Sequence, residues 1–409
     1  MKYFKSLSFY SFLLTLSLVG VVQAQTTSDK KQEERVYQEV IHDRAGKIVE
    51  ALQIADKTKY QKVQAIIANQ YLALNAIQAK RDEAIAELKA KKSTASEAKI
   101  AELKSSADKK IAKLHTAYIA KLNANLSPQQ VEQVKDGMTY NVVPLTFANY
   151  LLQTPYLTQA QQDKIKNYLV EARELAMDGG SSKEKHAWFG KYKGRITNYL
   201  AAEGFDMKKE SSDWAKRRDT ASSAVEIVQS NKAVKALDID DKLQKEFVRN
   251  LIAHQYQKIQ EMQAERDAKM KATSQPSKSK EAADKEAADI WADYQVRLHG
   301  QRKLFLQKLS TFVDANKVEL AQNVMTDNHL QKEYAHFQAL LPNLTEVQKK
   351  QVYDYLLEAR DNAMNVLDEE GRLKWFIKFR GRANNYLSKQ GYNLRKATED
   401  LEAKLATSK

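Results

Sequence analysis

The chain has 409 residues and no cysteine, and its 66 Lys and Arg against 52 Asp and Glu give a formal charge of +14. A disulfide framework and a cysteine-held metal or redox centre are thereby excluded. With only 12 Gly and 5 Pro, and with Ala, Lys, Glu, Gln and Leu dominant, the composition forms helices and shows no alternating strand pattern.

Residues 1–24 read as a secretion signal. Lys2 and Lys5 supply the positive start, Leu7 to Val22 is apolar or small, and Val22-Gln23-Ala24 offers small residues for cleavage after Ala24. The apolar run falls short of the roughly 20 residues that span a bilayer. Losing Lys2 and Lys5 lowers the charge from +14 to +12 (14 − 2). An exported, cysteine-free chain of this kind fits the Gram-negative periplasm or secretion. A basic balance suits nucleic acid, anionic membrane or acidic polysaccharide. Export disfavours nucleic acid, and interleaving of the two signs is also what solvated helix faces look like.

Beyond the signal the chain is one helical unit written twice, over 25–213 and 214–409, the second copy diverged. Between 131–210 and 318–397 there are 27 identities in 80 ungapped positions at a shift of 187. Upstream the shift is 185, as Gln70-Tyr71 against Gln255-Tyr256 shows. Each copy is expected to open with two long charged helices in an antiparallel hairpin, about 57–92 with 96–123 and about 240–272 with 279–309. Breaks near Ser93-Thr94-Ala95-Ser96 and Ser274-Gln275-Pro276-Ser277 separate them. Shorter helices follow near 158–177, 181–202, 345–366 and 369–389, so the expected fold class is all-α.

Several starts are marked by capping boxes: Ser127 with Gln130, Thr158 with Gln161 and Thr345 with Gln348. Pro128 occupies the first helical position, where its missing N–H is harmless. Gly204 and Gly391 stand where the last helices should end in left-handed residues.

The segment 181–200 carries the most chemistry. Trp188, Tyr192, Arg195 and Tyr199 follow i, i+4, i+7, i+11 and share a helix stripe. Aromatic faces stack on the C–H face of a pyranose, while Arg195, Asn198 and Lys191 could bond hydroxyls or carboxylates. The same stripe suits inter-helix packing, with Arg195 paired to Glu171. Trp375, Phe379, Arg382 and Tyr386 repeat it in copy two, which favours packing. The approach to the helix differs between copies: Asp178, the Gly179-Gly180-Ser181-Ser182 turn and His186 have no equivalent in 365–373. Copy one is thus the better place for a site, and Asp178 with His186 could act as an acid/base pair. No zinc-protease, phosphate-loop or nucleophile-elbow motif occurs, and neither a cofactor nor a metal is expected.

Val134-Lys135-Asp136-Gly137-Met138-Thr139-Tyr140, Glu171-Ala172-Arg173 and the run Ser181 to Arg195 together resemble an uncharacterised family of exported bacterial proteins, a domain of unknown function described as sugar-binding. The resemblance covers roughly 35–210 and, in diverged form, 215–400. It implies periplasmic polysaccharide handling and supplies no catalytic residues. The expected function is therefore non-catalytic carbohydrate binding, acidic oligosaccharides included, with Trp188, Tyr192, Arg195, Asn198, Tyr199, Lys191, His186 and Asp178 as candidate contacts. Two other readings stand beside it. One is a helical scaffold or periplasmic chaperone like Spy, which shares Leu-Thr-x-x-Gln motifs and would take a helical protein partner. The other is a polysaccharide-acting enzyme using His186, Tyr192 and Arg195.

Overall fold

The structure, a computed structural model, describes residues 27–90, 95–273 and 279–407. The secretion signal over 1–24 and the breaks at Ser93-Thr94 and Ser274-Gln275-Pro276-Ser277 lie outside the described residues. Among the described residues are sixteen α-helices and no strand, and none of these helices is long and apolar enough to cross a membrane.

The helices run as two octets. The first is α1 (Thr27–Glu50), α2 (Lys57–Ala90), α3 (Ala95–Asn123), α4 (Pro128–Met138), α5 (Val142–Gln153), α6 (Gln159–Met177), α7 (Ser182–Ala202) and α8 (Met207–Arg218). The second is α9 (Val225–Leu237), α10 (Lys242–Thr273), α11 (Lys280–Leu309), α12 (Ala315–Met325), α13 (His329–Leu340), α14 (Glu346–Ala363), α15 (Glu369–Lys389) and α16 (Leu394–Thr407). The hairpins are α2–α3 and α10–α11, but neither opens its copy. A further helix precedes each, because one side of the hairpin is apolar and must be covered. In copy one Ile41, Ala45, Ile48 and Val49 of α1 share a core with Val63, Ile67 and Tyr71 of α2.

Local chemistry sets the helix ends. All three capping boxes form, with Ser127, Thr158 and Thr345 hydroxyls accepting from the backbone N–H three residues on and the glutamines accepting in return. Gly204 and Gly391 both lie at φ +91°. Phe205 N–H then donates to Leu200 O at 3.0 Å and Tyr392 N–H to Leu387 O at 3.2 Å, the bonds of a Schellman ending. Non-glycine residues repeat unusual backbone too. Tyr140 and Asn141 (φ 59° and 54°) are matched by Asp327 and Asn328 (both 56°). Successive left-handed residues are costly, and here they turn the chain between α4 and α5 and between α12 and α13.

The chain divides into two compact units that cut across the repeat. One comprises the described part of Met1–Tyr140 with Met177–Lys185, and the other Asn141–Ala176 with His186–Lys409. The first has a single core built from α1 to α4 and closed by Met177. In the second, α5, α6 and α7 share one core, α9 to α12 another, and α13 to α16 a third. Arg217 of α8 is fully buried there. Its Nε donates to Asn250 Oδ1 and its Nη1 to Gln257 Oε1, both at 2.8 Å, while Nη2 reaches the Leu152 and Gln153 carbonyls that end α5. A buried guanidinium persists only with its donors engaged, and a helix C-terminus is a favourable partner.

Candidate functional site

The α7 stripe is largely engaged with itself. Tyr192 is buried in the α5–α7 core, and Trp188 and Tyr199 are half-buried against it. The Arg195 guanidinium lies 4.7 Å from the Tyr192 ring and 4.8 Å from the Tyr168 ring, and 3.4 Å from Glu171 Oε2. The Lys191 ammonium sits 5.2 Å over Trp188, and Tyr168 meets Tyr199 edge-on at 6.4 Å. Copy two builds the same device: Arg382 lies 4.8 Å from Phe379 and 5.1 Å from Tyr355, and 2.9 Å from Glu358. Lys378 covers Trp375 at 4.9 Å. Guanidinium stacking of this kind joins α6 to α7 and α14 to α15. Asn198 and His186 are exposed, as are Lys191 and Arg195 at their outer ends.

Asp178 is brought to an imidazole, and that imidazole is His115 of α3: Nδ1 and Oδ2 are 3.0 Å apart. The Asp178 carbonyl also accepts from Gln78 Nε2 at 2.7 Å. Gly180 makes this docking possible, since a Cβ there would stand 2.3 Å from Gln78 Oε1. The turn unique to copy one is thus seated on the α2–α3 hairpin. Next to it the sequence reading missed Lys185, which is 5% exposed. Burial, reinforced by Arg44 and opposed by Asp178, pushes its amine down to about 8. The one sequence signal was its register with Arg372, a cation in both copies.

A second feature separates the copies. Between α5, α7 and α8 an open cleft of about 760 Å³ is lined by Thr146, Asn149, Gln153, Lys193, Thr197, Lys208, Ser211 and Ser212 over a floor containing Tyr150. Hydroxyls, amides and ammonium groups make up its polar surface, and no Asp or Glu is among these lining residues. In copy two, Glu333 stands in place of Thr146 and takes Arg380, the counterpart of Lys193, at 3.2 Å. Leu340 and Leu394 replace Gln153 and Met207 and pack into the α13–α16 core. At these positions copy two pairs its charges internally or packs a leucine, whereas copy one leaves polar groups facing the cleft. Periodicity singled out the Trp188 face of α7, whereas Lys193 and Thr197 are on the face that the cleft uses.

A family described as Protein of unknown function (DUF3826) matches the chain twice, over residues 38–220 and 224–406. No curated protein matches it.

Proposed function

The chain belongs to the DUF3826 family in both of its copies, and on that premise we propose that it is a non-catalytic carbohydrate-binding protein whose α5–α7–α8 cleft takes an acidic oligosaccharide. The observation that carries this reading is the lining. Thr146, Asn149, Gln153, Thr197, Ser211 and Ser212 offer donors and acceptors in the mixed pattern that sugar hydroxyls need, and Lys193 with Lys208 gives the cleft a positive sign. The aromatic stripe supports the reading indirectly by holding α7 rigid, which limits the ordering cost of binding. The signal-like residues 1–24 would export the protein to the periplasm, where such polymers are handled.

Calorimetry with an oligogalacturonide and with a neutral oligosaccharide of equal length tests the proposal. The acidic ligand should bind more tightly. Lys193→Ala with Lys208→Ala should weaken it roughly tenfold or more, the loss expected for charge-assisted hydrogen bonds. Trp188→Ala should lower stability and leave affinity nearly unchanged. Absence of heat with any acidic oligosaccharide would overturn the reading.

A further inference from the structure

Each copy buries a cation at the same place in its repeat, but only copy two sets a carboxylate against it. Arg372, 2% exposed, donates from Nε to Asp327 Oδ2 at 2.7 Å, and Lys232 reaches the other oxygen at 2.8 Å. Burial raises the Asp327 carboxyl, yet these hydrogen bonds outweigh it and hold the group below its ordinary range. In copy one Lys185 takes the place of Arg372, and Tyr140 takes that of Asp327 on the same left-handed turn. Lys185 Nζ donates to two main-chain carbonyls, Met138 O at 3.0 Å and Met177 O at 3.4 Å. Among the described residues it makes no ion pair. Asp178 acts on it only from farther off and is held by His115.

The surroundings favour an anion. The Lys185 ammonium stands 5.4 Å over the Tyr71 ring, and Arg44 lies 5.7 Å from the same ring. Burial raises the Tyr71 phenol, with Arg44 opposing and Tyr140 and Tyr37 adding to the rise, so it stays a neutral donor. Tyr37, Arg44 and Tyr140 are exposed around this floor, and Tyr71 and Lys185 are buried beneath them. An ammonium has three donors, a phenol one and a guanidinium five, a set that one carboxylate could bridge.

We propose that the Lys185–Tyr71–Arg44 cluster is an anion site completed by a small carboxylate ligand, seated where the Asp327 carboxylate sits in copy two. The site shares no residue with the α5–α7–α8 cleft, so it stands whether or not the cleft binds sugar.

Thermal unfolding of the full chain in acetate, glucuronate, phosphate or chloride at equal ionic strength tests it, together with NMR titration of the lysine amines. In the wild-type chain both carboxylates should raise Tm above chloride, and the Lys185 amine should titrate at least one pH unit higher when carboxylate is bound. The double variant Tyr140→Asp with Lys185→Arg, which rebuilds the pair copy two already holds, should show no carboxylate response. The Lys193→Ala, Lys208→Ala variant should respond like wild type, which separates this site from the cleft. No carboxylate response in wild type, an equal response in the double variant, or a response to phosphate alone would overturn the proposal. If the double variant fails to fold, the titration of Lys185 in the wild-type chain decides by itself.

Discussion

Lys185 and His254 show how much a single buried base can weigh. The folded protein releases the Lys185 proton near pH 8, the unfolded chain near the ordinary 10.5. Between those values the unfolded state holds more protons, so stability rises as pH climbs through that window, and at neutral pH the buried charge costs on the order of 3 kcal/mol. Lys185→Met should therefore flatten the rise of stability with pH above pH 8, which unfolding curves between pH 7 and 10 would show. His254 works at the other end of the scale. Burial, opposed by a Glu210 hydrogen bond and helped by Arg217, brings its imidazole down to about 4 from 6.5. The unfolded state takes up the proton first as pH falls, so stability should drop by about 3 kcal/mol between pH 6.5 and 4. His254→Asn, the residue copy one carries as Asn69, should remove most of that drop in urea unfolding at the two pH values. The burial of neither group was legible in the sequence, although Lys185 shares its register with Arg372: a lysine or histidine in a helical run looks alike whether it faces solvent or core.

At the scale of the element, local chemistry was readable. The predicted bounds 57–92, 181–202 and 369–389 stand beside observed helices Lys57–Ala90, Ser182–Ala202 and Glu369–Lys389. Caps, Pro at the first position and Gly at the end act over one turn, so they can be seen without knowing what the helix packs against. The glycines divide by context in the same way. Gly190 and Gly194 sit within α7, where an added Cβ would meet nothing within 4 Å, whereas Gly180 abuts Gln78. Gly190→Ala should stabilise the protein by about 0.5–1 kcal/mol through helix propensity. Gly180→Ala should destabilise it by forcing Gln78 away from Asp178. Opposite signs in denaturant unfolding are the expected outcome, and equal signs would contradict the docking of this turn. The α7 stripe was also visible as a stripe, but its partner Tyr168, 20 residues upstream of Trp188, entered only with the α6–α7 pairing.

At the scale of the whole molecule, charge and duplication govern behaviour. With a formal charge of +14, association with an acidic oligosaccharide should weaken steeply as salt is raised, the screening length falling from about 10 Å at 0.1 M to about 3 Å at 1 M. Binding of a neutral oligosaccharide should change little over the same range, and titrations at several salt concentrations would distinguish the two. Helix content, the doubled unit and the positions where the copies part were all contained in the order of residues, because periodicity, capping and self-similarity are short-range or register properties. Tertiary structure alone decided which side of α7 is locked in packing and which opens on a cleft. It also decided that Asp178 meets His115, 63 residues away, and that Lys185 is buried without the carboxylate its counterpart has. Those outcomes depend on contacts between residues far apart in the chain, and on how far each is removed from water, which spacing along one helix does not encode.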